Sequence, residues 1–204
     1  MALEHVTDQY GSYWRGNDFD ISQSQMEENA AYIWNYLGSR GWTLVAVAGI
    51  LGNARWESGM NPAIWQNLDP VPSNGYGLVQ WTPSTKLFEW LDEMGYPHDV
   101  MWAQLDRIIY EKDNNLQWRT SAEYPISFPK YWSTMSHSAS FCGGAWFTNY
   151  ERGAHPEVAP IRERTAREWA YYLVTLPDPS PVPTGKGSGK WVIYKRGVGL
   201  IYGD

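Results

Sequence analysis

Gly49-Ile50-Leu51-Gly52-Asn53-Ala54-Arg55-Trp56-Glu57-Ser58-Gly59-Met60-Asn61-Pro62 is the stretch on which the fold of this chain turns. Residues 43–57 are apolar nearly all round, through Leu44, Val45, Val47, Ile50 and Leu51. That pattern predicts a central, buried helix. Gly59 and Pro62 then stop it. Glu57 falls at the stop, beside Trp56. There the negative pole of the helix and desolvation against the indole both disfavour a carboxylate and raise its pKa. A carboxyl that stays protonated near neutral pH can serve as a general acid. On spacing alone the competing reading is a glutamate paired with Arg55 or simply solvated.

Further helices are expected on either side. Residues 22–38 carry Met26, Ala30, Ile33 and Leu37 on one face, with Ser24 and Glu27 at capping-box spacing and Gly38 and Gly41 at the end. Thr82-Pro83 opens a helix bearing Leu87, Trp90, Leu91 and Met94, and Asp99 caps the next one. Residues 137–150 and 159–175 read as the last two, the latter with Ile161, Ala166, Trp169, Ala170 and Leu173 inward. Between helices, residues 58–82 hold Pro70, Pro72, Asn74, Gly75 and Gly77, which suits a small hairpin or a cleft-lining loop. The domain is expected to be mainly helical with one irregular β-like insertion. Residues 1–21 read as an N-terminal extension and 22–176 as the domain. By its Pro, Gly and Ser content, 177–190 reads as a linker. Residues 191–204 are a tail with room for two short strands, or the start of a further domain.

Composition narrows the function. A net charge of −6 argues against a nucleic-acid partner, which would require clustered Lys and Arg. Arg152, Arg162, Arg164 and Arg167 do gather, but Glu151, Glu157, Glu163 and Glu168 interleave with them, as on a salt-bridged helix face. No apolar run reaches membrane-spanning length, and the polar N-terminus has no ordinary secretion signal. The single cysteine excludes an internal disulfide. His5, His98, His137 and His155 are dispersed without metal-ligand spacing, so no metal or cofactor is expected. Thirteen Trp and 14 Tyr stand against only 5 Phe, and flat rings with a polar edge suit stacking on sugars. Trp56, Trp65 and Trp81 surround the candidate acid and are candidate substrate contacts. Trp34, Trp90, Trp102 and Trp169 have core spacing.

Beyond the loop runs Gly75-Tyr76-Gly77-Leu78-Val79-Gln80-Trp81. Glycines admit close approach of a ligand to the backbone, and Tyr76 and Gln80 can hydrogen-bond sugar hydroxyls or N-acetyl groups. Glu57-Ser58-Gly59, Asn61-Pro62 and Gly77-Leu78-Val79-Gln80 together resemble the motifs of the lysozyme-like lytic transglycosylase group. The run from Gly49 to Thr82 is similar to the phage tail lysozyme family within it. Phe147-Thr148-Asn149-Tyr150-Glu151-Arg152, with Arg164 and Ala166 downstream, resembles that family's last block. The resemblance covers roughly residues 22–175.

It implies a lysozyme-like α+β fold, cleavage of the peptidoglycan glycan strand, and Glu57 as the catalytic acid. In related transglycosylases a tyrosine of the last motif orients the acid or the substrate, and Tyr150 matches it. Those enzymes usually have Ala-Tyr-Asn where this chain has Asn149-Tyr150-Glu151, and Asn149 and Glu151 are candidate substrate contacts. Phage tail proteins or a C-terminal domain are the partners implied beside peptidoglycan. The location implied is a virion tail or, for an endolysin, release to the host wall.

A hydrolase normally uses a second carboxylate. Asp69 is the first candidate, followed by Glu89 and Glu151. Without one, the N-acetyl group or a positioned water assists, or the sugar's own hydroxyl closes an anhydro ring. Two other readings compete. One is a cysteine peptidase of the cell wall built on Cys142 with His137 or His155 as base. The other is a glycan-binding module without turnover.

Overall fold

The computed structural model describes residues 2–179 and, for the backbone alone, the strands 191–195 and 199–203. Seven α-helices are present among them: α1 (Gln23–Gly38), α2 (Leu44–Glu57), α3 (Thr85–Met94), α4 (Met101–Asp113), α5 (Phe128–Tyr131), α6 (Ala139–Ala145) and α7 (Ala159–Leu173). Strands β1 (Glu4–Asp8) and β2 (Gly11–Arg15) form an antiparallel hairpin, as do β3 (Trp191–Lys195) and β4 (Gly199–Gly203). The architecture is the mainly helical α+β arrangement expected. None of the described helices is long and apolar enough to cross a membrane.

Helix α2 runs through the middle, with every residue from Ala46 to Ala54 buried. It starts where the Thr43 hydroxyl accepts the Ala46 N–H, and it ends at Glu57 as expected. Helices α6 and α7 pack on it through small residues. A methyl group on Gly52 would lie 2.7 Å from Ala166, and one on Gly143 would lie 2.7 Å from the same side chain. The Asn53 amide fills the remaining polar gap, donating to the carbonyls of Gly49 (2.9 Å) and Gly143 (3.0 Å). Three backbones therefore meet with almost no side chain between them.

Several local expectations change. The capping box of α1 uses Ser22 and Gln25, not Ser24 and Glu27. Asp99 does not cap α4; it pairs with Arg15 at 3.0 Å, and Val100 occupies the cap position. In α7 the buried face comprises Arg162, Thr165, Ala166, Trp169 and Leu173, while Ile161 is 37% exposed. Contact with the glycines of α2 and α6 turns the Ala166 face inward and takes Arg162 with it.

Residues 58–82 take the cleft-lining loop alternative, and the strand pair forms elsewhere. Residues 58–82 contain no strand, only the isolated bridges Trp65–Tyr76 and Tyr76–Trp81. The hairpin lies instead in residues 4–15, read from sequence as an extension. Tyr13 of β2 is fully buried, Tyr32 of α1 donates its hydroxyl to Asp8, and Asn29 of α1 bonds both polar groups of the Trp14 backbone. Of the expected linker, residues 180–190 lie outside the described part.

Candidate active site

The loop after α2 is pinned back onto it. The Ser58 hydroxyl donates to the carbonyls of Ala54 (3.1 Å) and Leu78 (2.7 Å), which ties Glu-Ser-Gly to Gly77-Leu78-Val79-Gln80. Gln104 of α4 receives the Leu78 N–H and would collide with any side chain at Gly77, whose φ is 80°. Asn61 reaches the other way, accepting the Gly16 N–H and donating to the Gly16 carbonyl. In this way the chain before α1 is drawn to the end of α2. A cleft of about 430 Å³ results, with Glu57, Gln80, Trp81, Tyr150 and Glu151 among its lining residues.

From α6 the chain continues as a π-helical turn, Trp146–Glu151. Such turns insert an extra residue into a helix and recur at functional sites. Arg152 closes it in the left-handed conformation, at φ 55°. Tyr150 and Glu151 are carried into the cleft on this turn.

Glu57 Oε1 accepts a hydrogen bond from Arg162 Nη2 at 2.5 Å, while Arg162 Nη1 donates to the Asn53 carbonyl at 3.1 Å. The Arg162 side chain is 9% exposed and that of Glu57 is 27% exposed, so this is an ion pair at the wall of a cleft. Burial pushes the Glu57 carboxyl upward, and the charge and hydrogen bond of Arg162 pull it back, followed by a hydrogen bond from Glu151. The net displacement is upward. Arg55, the alternative partner, instead donates to Gln23.

Glu151 is the unusual neighbour. Both of its oxygens are shut off from solvent, and neither receives an N–H or O–H of ordinary geometry. Burial first, and then the Glu57 charge, push Glu151 well above the carboxylate range; Arg162 opposes them. The Trp146 indole lies near without completing a hydrogen bond. Two carboxyls thus lie in the field of one guanidinium, which bonds only Glu57.

A second buried carboxyl lies behind the cleft. Glu111 receives the Trp81 indole N–H (3.1 Å), Arg107 Nε–H (2.8 Å) and the Tyr150 hydroxyl. The Tyr150 hydroxyl is therefore engaged by Glu111, and its ring stacks on Trp146 with centroids 4.1 Å apart.

The remaining sequence candidates fall in different places. Gln80 lines the cleft, with its amide donating to the carbonyls of Ile64 and Gly77. Trp81 lines it too, though its N–H is committed to Glu111. Tyr76 is buried against Trp65 and Phe88, outside the cleft lining. Asn149 is fully buried and braces residues 121–124 through the Ser121 N–H and Tyr124 carbonyl. Asp69 is exposed in its loop and does not line the cleft. Trp56 is 53% exposed, on the other side of Glu57, with its indole N–H bonded to Thr165 (3.0 Å). Cys142 is buried in α6, and burial pushes its thiol up to about 12. His137 stacks on Phe141 and His155 bonds Glu157. No group of three or more His, Cys, Asp or Glu that could hold a metal occurs among the described residues.

What the sequence reading missed was Arg162 as the partner of Glu57. On the expected salt-bridged helix face it would pair with a neighbouring glutamate, but there only Arg164 does so, weakly, with Glu168 at 3.9 Å. The available signal was the position of Arg162 four residues before Ala166, on the small face of α7.

A glutamate at the end of a central helix, a glycine loop beside it and a second glutamate on the π-helical turn after α6 stand together at one cleft. Residues 28–173 match the phage tail lysozyme family, and the chain belongs to that family. A 42% identical relative over 169 residues is "Morphogenesis protein 1" of Bacillus phage B103; the alignment takes in 82% of this chain and 42% of that protein. The chain thus spans about two-fifths of the length of the curated relative it matches.

Proposed function

We propose that the domain cleaves the MurNAc–GlcNAc glycan strand of peptidoglycan, as a phage tail-associated lysin or endolysin, with Glu57 as general acid. The observation that carries this reading is the placement of Glu57 and the buried Glu151 in one cleft with a single guanidinium, which bonds Glu57. Two carboxyls against one guanidinium keep one proton, and only Glu57 of the pair can hand it to a ligand. Glu57 gives that proton to the bridging oxygen as the bond from the sugar C1 breaks. A water or the sugar's own 6-hydroxyl then adds to C1 and returns a proton to Glu57, so the proton count closes.

Glu151 takes the second-carboxyl position in this reading in place of Asp69, but not as a nucleophile. Carboxyls that straddle a sugar stand about 5–5.5 Å apart in retaining enzymes and about 6.5–9.5 Å apart in inverting ones. Glu151, with both oxygens shut off from solvent, does not straddle a sugar with Glu57. Glu151 is a positioning residue that keeps the shared proton on the pair. Tyr150 holds the π-helical turn in place through Glu111.

Clearance of turbidity from purified cell walls tests the assignment. Wild type and Cys142→Ala should lyse, and Glu57→Gln should lose at least about a hundredfold in rate. Full lysis by Glu57→Gln would sink it. Mass spectrometry of the fragments then separates reducing ends from anhydro-sugars.

A further inference from the structure

A second depression, of about 260 Å³, adjoins the cleft on the opposite side of Glu57. Its lining includes Ile21, Met26, Arg55, Trp56 and Gly59, and it shares two residues, Glu57 and Phe19, with the first. The two hollows form one path, and the candidate acid stands where they join.

The smaller hollow has an exposed ring that the larger lacks, Trp56, and the exposed ring of Phe19 stands where the two join. Trp56 is 53% exposed and Phe19 is 56% exposed, whereas Trp81, Tyr150 and Phe147 in the larger hollow are all buried. The Trp56 indole N–H is held by Thr165 of α7, which fixes the ring while leaving much of it in water. Phe19 is kept nearby by a built segment. Asn61 bonds both polar groups of the Gly16 backbone and the Asp18 carbonyl, and Asn17 accepts the Trp65 N–H. At Gly59, whose φ is 63°, a side chain would lie 2.6 Å from Ile21, so the segment sits directly on the end of α2. Rings held this way present an apolar face at little entropic cost, which suits the flat face of a pyranose. Arg55, bonded to Gln23, supplies a hydrogen-bonding edge.

The geometry points to the Trp56–Phe19 hollow as a sugar-binding subsite, which takes the glycan residues on the far side of the bond that lies over Glu57. The inference rests on the glycan-cleaving reading for its direction, but it concerns binding alone. A strand bound in both hollows puts its cleaved bond at their junction, and the segment between the N-terminal hairpin and α1 becomes part of the enzyme's substrate wall.

Titration of peptide-free GlcNAc oligomers of increasing length into the full chain, in the Glu57→Gln background, tests it. Adding Trp56→Ala should weaken binding of the longest oligomers about three- to tenfold while leaving the shortest unchanged. Phe19→Ala should act in the same direction, and Trp56→Phe, which keeps a ring but loses the Thr165 bond, should recover most of the affinity. Loss at every length together, no loss at any length, or binding of stem peptide alone would overturn the subsite. Wall lysis by Glu57→Gln alongside length-dependent loss in Trp56→Ala would remove the acid assignment and leave the subsite standing.

Discussion

Two buried carboxyl sites lie on either side of Tyr150, and they are built to opposite ends. Glu111 is met by three donors, from Arg107, Trp81 and Tyr150, so its charge is fully answered. Burial still pushes its pKa up, against the pull of Arg107 and those hydrogen bonds. Glu57 and Glu151 have a single guanidinium between them, that of Arg162, and Glu151 has no ordinary donor at all. The first site is saturated and holds walls together. The second is one cation short, and burial pushes both of its carboxyls up. Burial alone does not distinguish the two; the ratio of donors to carboxyls does.

Removing the one cation should break the comparison most severely. Arg162→Met leaves two carboxyls with no positive partner. Breaking a buried pair costs about 3–5 kcal/mol, and access of Glu57 to the cleft together with proton uptake moves the loss toward the lower end. Chemical denaturation should show the loss, and the alkaline limb of wall lysis should shift to higher pH because the pull on Glu57 is gone. A stability equal to wild type would mean that the pair does not bear on folding.

Next in size is the saturated site. Glu111→Gln leaves Arg107 largely buried without its carboxylate and should lose stability on the same scale, about 3 kcal/mol. The shape of its pH–activity profile should remain that of wild type. A moved alkaline limb would show that the two sites are electrically one.

The smallest effect is the most diagnostic. Glu151→Gln abolishes the shared proton and leaves Glu57 with Arg162 and a neutral amide. The alkaline limb should then move to lower pH. The groups facing the pair are Arg162 from α7 and Trp146, Tyr131 and Tyr150 around Glu151. The stability consequence has a definite sign. Carboxyls raised in the folded state contribute stability that is complete below the unfolded value, about 4.3, and is lost as pH rises through the folded value. Thermal unfolding of Glu151→Gln should therefore improve relative to wild type as pH increases across that window. A constant difference at all pH values would contradict the shared proton.

These distinctions were only partly legible in the sequence. The end of α2 at Glu57 was visible because Gly59 and Pro62 are local signals and the apolar helix before them is long. The cleft loop was visible through Gly77 and Gln80, although its partner Gln104 lies beyond α3, within α4. Arg162 was not visible as the partner of Glu57, since the pair is 105 residues apart and only the packing of three helices joins them. The π-helical turn was hidden for another reason: one inserted residue leaves no trace in a hydrophobic period. Asp69 is an acid near the motif in sequence, but its loop faces water. The N-terminal hairpin was missed because only Tyr13 is fully buried among its ten strand residues, too weak an alternation to mark a strand pair.

One further consequence follows from the glycines under the site. Gly52 and Gly143 let α7 approach until Ala166 touches both backbones, and Arg162 stands one turn before Ala166 on that same helix. The distance from acid to cation is therefore gauged by main chain against main chain, like a machinist's stop, instead of by side chains that can re-settle. An alanine at either glycine would work as a shim. It would lift the guanidinium from Glu57 without altering any residue that touches the cleft, and a chemically intact site would fall silent through a change of length.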